Sequence, residues 1–314
     1  MILAIDTSTS ALSVALAPAP VHNRPIGGLL TEATGAGGTG PVHNRPIGGL
    51  LTEATAGAGT GPVHNRPIGG LLTEATGDAG TAPVHNRPIG GLLTDSWSGQ
   101  VDPAGLRGRS RKDPRGHSEH LAPLIATLLA DAGAAPRDLT AVIVGTGPGP
   151  FTGLRVGIVT GLTMAYAVDV PVFGLCSLDA LAAASGMPPG TEVLVASDAR
   201  RKEVYWARYR VGEPVHGDGE PPALALSHVE RLDGPHVDRP ADLPEEVRAL
   251  PTVGRGPLLY PDLFPHPVPD ILDVDARALL VTALARRAAG ADLPVEPLYL
   301  RRPDALTSAE RAAR

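Results

Sequence analysis

The sequence predicts an α/β protein built as two duplicated lobes, with a Gly/Pro-rich repeat insertion in the first. Three observations carry this. A short apolar strand, an Asp, a tight turn and a returning strand occur at Asp6 and again at Asp198. Between the two, buried strands alternate with helices that carry an apolar stripe. A 21-residue unit starts at Pro20, Pro41, Pro62 and Pro83 and interrupts the first lobe. The division is a first lobe over 1–186, with the insertion at about 20–90, and a second lobe over 187–314 that includes a C-terminal segment.

In the first lobe, Ile2-Leu3-Ala4-Ile5 reads as a buried strand that stops at the turn-forming Asp6-Thr7-Ser8-Thr9-Ser10. Leu12, Val14 and Leu16 alternate with small residues on a returning strand. Leu92 to Trp97, where the fourth repeat diverges, is expected as the third strand, so the repeats sit at a hairpin tip. Each unit holds only Val, Ile, Leu and Leu as substantial apolar side chains, too little for a solenoid core at ~25 cal/mol per Å². A metal array of His22, His43, His64 and His85 has one ligand per unit and no Cys, and an expanded loop is the simpler reading. Without three units, about 250 residues remain, enough for one two-lobed protein.

From 118 to 132, Leu121, Leu124, Ile125, Leu128 and Leu129 form one helical stripe, with Ser118 as N-cap and Gly133 as the C′ stop. Ala141 to Val144 is another buried strand, which feeds a Gly-rich turn and a helix ending near Val168. Gly153, Gly157 and Gly161 share one face of that helix. The glycines from Gly147 to Gly157 have two readings: amides closing on an anion at a helix start, or a tight turn with close packing. A strand at 170–175 and a short helix capped by Ser177 complete the lobe. Val193 to Ser197, ending in Asp198, then Val204 to Tyr209, open the second lobe.

Composition narrows the function. With 27 basic and 33 acidic residues the chain carries −6, so no strongly basic surface marks it overall as a nucleic-acid binder. One cysteine, Cys176, excludes an internal disulfide, suits a reducing compartment, and reads as apolar filling. The apolar stretch 156–168 is short of the ~20 residues that span a bilayer. Ala15-Leu16-Ala17 looks like a signal-cleavage site, but Asp6 interrupts the apolar run and no Lys or Arg precedes it. A cytoplasmic protein is expected.

Four separated motifs resemble the TsaB family, also called YeaZ. They are Ile5-Asp6-Thr7-Ser8-Thr9, Arg115-Gly116-His117-Ser118-Glu119-His120-Leu121, the run from Gly147 to Gly157, and Asp198-Ala199-Arg200-Arg201-Lys202-Glu203-Val204-Tyr205. Pro297 to Arg302 resembles the family's C-terminal signature. The resemblance covers 1–19 and about 91–303; the repeats have no counterpart, and Lys202 stands where an apolar residue is more usual.

The resemblance implies the actin/Hsp70-like (ASKHA) two-lobe fold. It also implies a scaffold without chemistry of its own that binds TsaD, is joined by TsaE through ATP, and meets tRNA only through that complex. TsaD transfers a threonylcarbamoyl group to the adenosine next to the anticodon. A homodimer is expected for the isolated chain. No cofactor of its own is implied, though ATP or ADP with Mg at the complex interface fits. Nucleotide contact is expected, if anywhere, at Asp6, Thr7, Ser8, Gly147, Gly149, Asp198, Arg200 and Gly254. A partner interface is expected on the 118–132 helix at His117, His120, Leu121, Leu124, Ile125 and Leu128.

Two enzyme classes compete. The TsaD-like paralogues bind a metal through two histidines four apart, but Ser177 and Leu181 stand at the matching positions here. Protease motifs, Gly-x-Ser-x-Gly and His-Glu-x-x-His, are missing. The remaining alternative is an ASKHA small-molecule kinase or ATPase, which needs a base in the cleft and a fuller adenosine loop than Val253-Gly254-Arg255-Gly256.

Overall fold

A computed structural model describes residues 1–19, 105–113, 116–215 and 226–301. Two sheets organise these residues. In the first, β1 (Ile2–Asp6) pairs antiparallel with β2 (Ala11–Ala17), which pairs antiparallel with β3 (Arg107–Lys112) at the edge. On the other side β1 runs parallel to β4 (Ala141–Gly145), and β4 parallel to β5 (Val172–Leu175), giving the order β3-β2-β1-β4-β5. The second sheet has β6 (Glu192–Asp198), β7 (Val204–Pro214), β8 (Ser227–Asp238) and β9 (Thr252–Val253) in the order β8-β7-β6-β9. The strand–Asp–turn–strand hairpin therefore opens both sheets, as the sequence predicts.

The third strand is a correction. The edge beside β2 is occupied by Arg107–Lys112, in register Leu16 to Arg107 through Ala11 to Lys112, and not by the expected 92–97. The latter segment, like the repeats, lies outside the described residues. Pairing here is carried by the backbone ladder, so a strand with no apolar alternation completes the sheet edge.

Period-two alternation splits the first sheet's side chains between two cores. Leu3, Ile5, Leu12, Val14 and Leu16 face α1 (His117–Asp131) and α2 (Phe151–Val168). Ile2, Ala4, Ala15 and Ala17 face α3 (Ser177–Ala183) and α6 (Ala276–Ala288) in a core shared with Val193, Val195, Ala207 and Tyr209 of the second sheet. A third cluster, around Trp206, Val247 and Phe264, covers the second sheet's outer face beside α4 (Glu245–Arg248); α5 (Gly256–Leu259) follows β9.

Two helix ends differ from expectation. The N-cap of α1 is Gly116, with Ser118 already inside the helix, while Gly133 has the left-handed φ of 64° expected at C′. Ser177 does not cap α3, because its hydroxyl turns to Asp6 instead. The lobes also exchange helices, so a cut at 186/187 does not separate the packing units. Helix α6 lies on the first sheet, with the Ala276 amide donating to Ser13 Oγ. In return α3 packs on the second sheet, where buried Asp179 accepts from the Tyr209 hydroxyl at 2.7 Å and pairs with Arg231 and Arg286.

Candidate functional site

The two Asp hairpins meet the starts of α1 and α2 around an interlobe cleft of about 130 Å³. Its wall includes Ser8, Thr9 and Ser10 from the first turn, His117 and Ser118 from α1, and Thr152 from α2. Ser197, Asp198, Arg200 and Arg255 close it from the second lobe. The volume is below the roughly 300–1,000 Å³ typical of small-molecule sites.

Of the residues expected to touch a nucleotide, only Ser8, Asp198 and Arg200 line this cleft. Asp6 is 1 % exposed and fully engaged: Oδ1 accepts from the Ser8 amide (2.9 Å) and hydroxyl (2.7 Å), and Oδ2 from Ser177 Oγ (2.5 Å). Burial pushes its carboxyl up, against the opposing pull of those hydrogen bonds. Thr7 Oγ1 turns into α2, donating to the Gly153 carbonyl at 2.8 Å and accepting from the Gly157 amide at 3.1 Å. The side chains of both residues therefore hold the first turn against the rest of its lobe.

The glycines act in the same way. The Gly147 amide donates to Ser177 Oγ, and its carbonyl accepts from the Ser177 amide. A Cβ at Gly149 would come within 2.4 Å of the Ser8 carbonyl oxygen, and one at Gly254 within 2.4 Å of the Ala196 carbonyl oxygen. Gly254 also needs its φ of 97°. These positions show close backbone packing, which favours the structural reading of the Gly147–Gly157 run.

On the opposite wall Asp198 Oδ1 accepts from the Arg200 amide at 2.7 Å, and its Oδ2 pairs with the Arg200 guanidinium. Arg255 is held by both oxygens of Asp273. Each cleft arginine thus has a carboxylate partner. His117 is buried at the cleft with Nε2 lacking a hydrogen-bond partner, and burial lowers its pKa. Thr9, Ser10, Ser118, Thr152 and Arg255 were not named as contacts, although each lies in a stretch the sequence singled out: the first turn, the 115–121 and 147–157 motifs, and the loop candidate 253–256.

The expected partner interface on α1 needs correction. Leu121, Ile125 and Leu128 are buried in the first lobe's own core, as is His117 against α2. Leu124 packs against the same core and is only partly buried. His120 is partly exposed and bonds Asp113 at 3.1 Å. The stripe is real, but its occupant is the sheet. Outward-facing apolar surface lies on α2 instead: Phe151 is 54 % exposed, Val159 43 % and Tyr166 61 %. By length and composition α2 alone among the described helices could cross a membrane, yet Leu154, Ile158 and Ala165 on its inner face pack on the sheet.

At the positions of the paralogue's metal histidines, Ser177 bonds Asp6 and Leu181 is buried in the shared core. Among the described residues no three His, Cys, Asp or Glu side chains converge as a metal cluster. Cys176 is buried, and its thiol is pushed up to about 12, so it is a core group rather than a nucleophile.

A two-lobed, two-sheet α/β protein with its cleft hairpins locked from within is the class this geometry defines. The family model described as "TsaD: tRNA N6-adenosine threonylcarbamoyltransferase" matches residues 111–247. The chain is 39% identical over 208 residues to an uncharacterized Mycobacterium leprae protein; the match covers 64% of this chain and 48%, about half, of that protein. It is 31% identical over 203 residues to the Escherichia coli tRNA threonylcarbamoyladenosine biosynthesis protein TsaB, covering 60% of this chain and 82% of the relative. The solved structure of YeaZ from Pseudomonas aeruginosa superposes with a TM-score of 0.52 at 20% identity, over 95% of this chain and 99% of that one. The fold is thus that of YeaZ, consistent with the ASKHA class. The chain belongs to the TsaB/YeaZ family, which works in threonylcarbamoyladenosine modification of tRNA.

Proposed function

We propose that this chain is a non-catalytic, cytoplasmic scaffold subunit of the tRNA threonylcarbamoyladenosine-modifying complex, which binds TsaD and supports its transfer reaction. The observation that carries the reading is the outer face of α2. Eighteen residues present Phe151, Val159 and Tyr166 to solvent and carry a single charge, Arg155. Leaving such side chains in water forgoes roughly 1.5–3 kcal/mol each, and a helix packed across them recovers it. TsaD is the proposed occupant in the complex, and a second copy of the chain when TsaD is absent. TsaE joins through ATP, and tRNA reaches the assembly through the complex. Any ATP or ADP with Mg sits at the complex interface.

The test is co-purification with TsaD. Val159→Asp and Tyr166→Asp should abolish it while leaving the unfolding transition cooperative, and the purified chain with the adenylate and tRNA should give no modified nucleoside unless TsaD is added. Retained TsaD binding by both folded variants would sink the α2 assignment. The kinase alternative predicts ATP turnover by the isolated chain with a sugar or acid. Against it stands Asp6, whose carboxylate is closed off by Ser8 and Ser177.

A further inference from the structure

Strand β3 is a second surface that the scaffold reading does not use. Its six residues, Arg107-Gly108-Arg109-Ser110-Arg111-Lys112, are all exposed, and four of them are cations with no acid among them. Among the described residues the strand is the sheet edge, paired to β2 alone. Arg107, Arg109 and Arg111 lie opposite Leu16, Val14 and Leu12, so all three share one face. Two-residue steps space them by about 6.6–6.8 Å.

Little in the fold neutralises this row. Arg109 is paired with Asp131 of α1. No described carboxylate pairs with Arg107, Arg111 or Lys112. Asp113, the next residue, is committed to the Gly116 amide and His120. On the other face the stem of Arg277 crosses Gly108, adding a further guanidinium, itself paired with Asp275.

Edge strands commonly carry charge to block strand addition. That purpose is served as well by mixed signs, as on β8 at the edge of the second sheet, which has Glu230, Arg231, Asp233, His236 and Asp238. Strand β3 instead concentrates one sign in a chain of net −6 and accepts the repulsion among like neighbours. Evenly spaced guanidiniums fit a partner with evenly spaced anions, and each fork can take a phosphate through two parallel hydrogen bonds. The strand has no aromatic side chain on which a base could stack, so its contacts would be to backbone and independent of base sequence.

We propose that β3 is an RNA-backbone contact strip, with Arg107 and Arg111 on one face and Lys112 at the strand's end on the other each neutralising a phosphate. Its charge pattern is independent of the proposed α2 interface; only the choice of RNA over other polyanions rests on the tRNA-modification reading, and a direct contact by this chain replaces the expectation that it meets tRNA only through its partners.

The experiment uses the full chain and a fluorescein-labelled, unmodified tRNA transcript, with binding followed by anisotropy between 50 and 200 mM salt. Wild type should bind with a steep log–log salt dependence. The triple variant R107S/R111S/K112S should bind at least about tenfold more weakly at low salt, its slope smaller by about 2–3. The charge-keeping R107K/R111K should retain the slope, with a smaller loss of affinity than the triple variant because the bidentate bonds are gone. If the triple variant does not fold, R107S and R111S singly should each lower the slope by about 0.7–0.9. No binding by wild type, an unchanged slope in the folded variants, or equal competition by polyglutamate (an acidic protein partner) would overturn the inference. TsaD co-purification is measured on the same proteins. If TsaD still binds and the RNA effect is absent, β3 alone has been misread; if TsaD never binds but the slope falls, the scaffold reading fails and β3 stands.

Discussion

The Ser177 hydroxyl donates to Asp6 Oδ2 across 2.5 Å, tying the first residue of α3 to the last of β1. The same oxygen accepts from the Gly147 amide, so one hydroxyl holds together three segments that the sequence separates widely. Ser177→Ala would leave a buried carboxylate oxygen and a buried amide without partners. At about 1–3 kcal/mol per unsatisfied group, the substitution should lower stability by roughly 2–4 kcal/mol in urea unfolding. A loss below about 0.5 kcal/mol would mean that water replaces the hydroxyl.

Gly145, at the end of β4, makes room for this triangle. A Cβ there would lie 1.9 Å from Asp6 Oδ2 and 2.8 Å from Ser177 Oγ. Gly145→Ala should therefore destabilise by about 1–3 kcal/mol, the usual range for overpacking. The double variant with Ser177→Ala should lose less than the sum of the two, because one clash partner is gone. Strict additivity in the double-mutant cycle would separate the two sites.

Burial of Asp6 sets a pH dependence. Its folded pKa is raised above 3.8, chiefly by desolvation, so the folded state holds its proton to higher pH than the unfolded chain. Stability from this group is complete below pH 3.8 and falls as pH rises through the folded value. Asp6→Asn removes the titration. The stability difference should move in the variant's favour as pH rises from about 4 to 8, and a pH-independent difference would refute this. His117 has the opposite trend: burial lowers its pKa below 6.5, so its share of stability is present above pH 6.5 and fades as the solution becomes acidic.

The substitutions that separate folding from assembly lie on two adjacent helices. Leu128→Asp on α1 would bury a charge in the first lobe's core and should abolish cooperative unfolding altogether. Tyr166→Asp on α2 should leave the unfolding midpoint within about 0.5 kcal/mol of wild type, as expected for an exposed position. Equal damage from both would mean that α2 is buried in the folded monomer.

These contrasts show what the sequence could reveal. The i, i+3, i+4 spacing of Leu121, Leu124, Ile125 and Leu128 announced a helix with a buried face. Such a stripe cannot say whether sheet or partner covers it, and here it is Leu12, Val14 and Leu16. Asp6 and Asp198 were legible as strand ends, yet nothing local foretold that Ser177 would close the first and Arg200 the second. The network of Asp179, Tyr209, Arg231 and Arg286 draws on four elements, and its members share no spacing a sequence could display. β3 was missed because Arg107 to Lys112 has no apolar alternation; its place is fixed by backbone pairing to β2.

That placement decides the last prediction. β2 ends at Ala17 and its antiparallel neighbour β3 begins at Arg107, with Leu16 opposite Arg107. The repeat-bearing stretch therefore connects two strands that already pair, and neither strand draws a residue from it. Deleting 20–97 leaves 18–19 joined to 98–106 as the connection, with both strands intact. Loop-closure entropy grows as (3/2)RT ln n, so this shortening should stabilise by up to about 2 kcal/mol if the connection is unstrained. The truncated chain should unfold cooperatively at an equal or higher urea midpoint and still co-purify with TsaD. A fall of more than about 2 kcal/mol would show that residues 20–97 supply packing to the first lobe. Restoring 83–97 alone would then distinguish a contribution of the fourth repeat from one spread over all four.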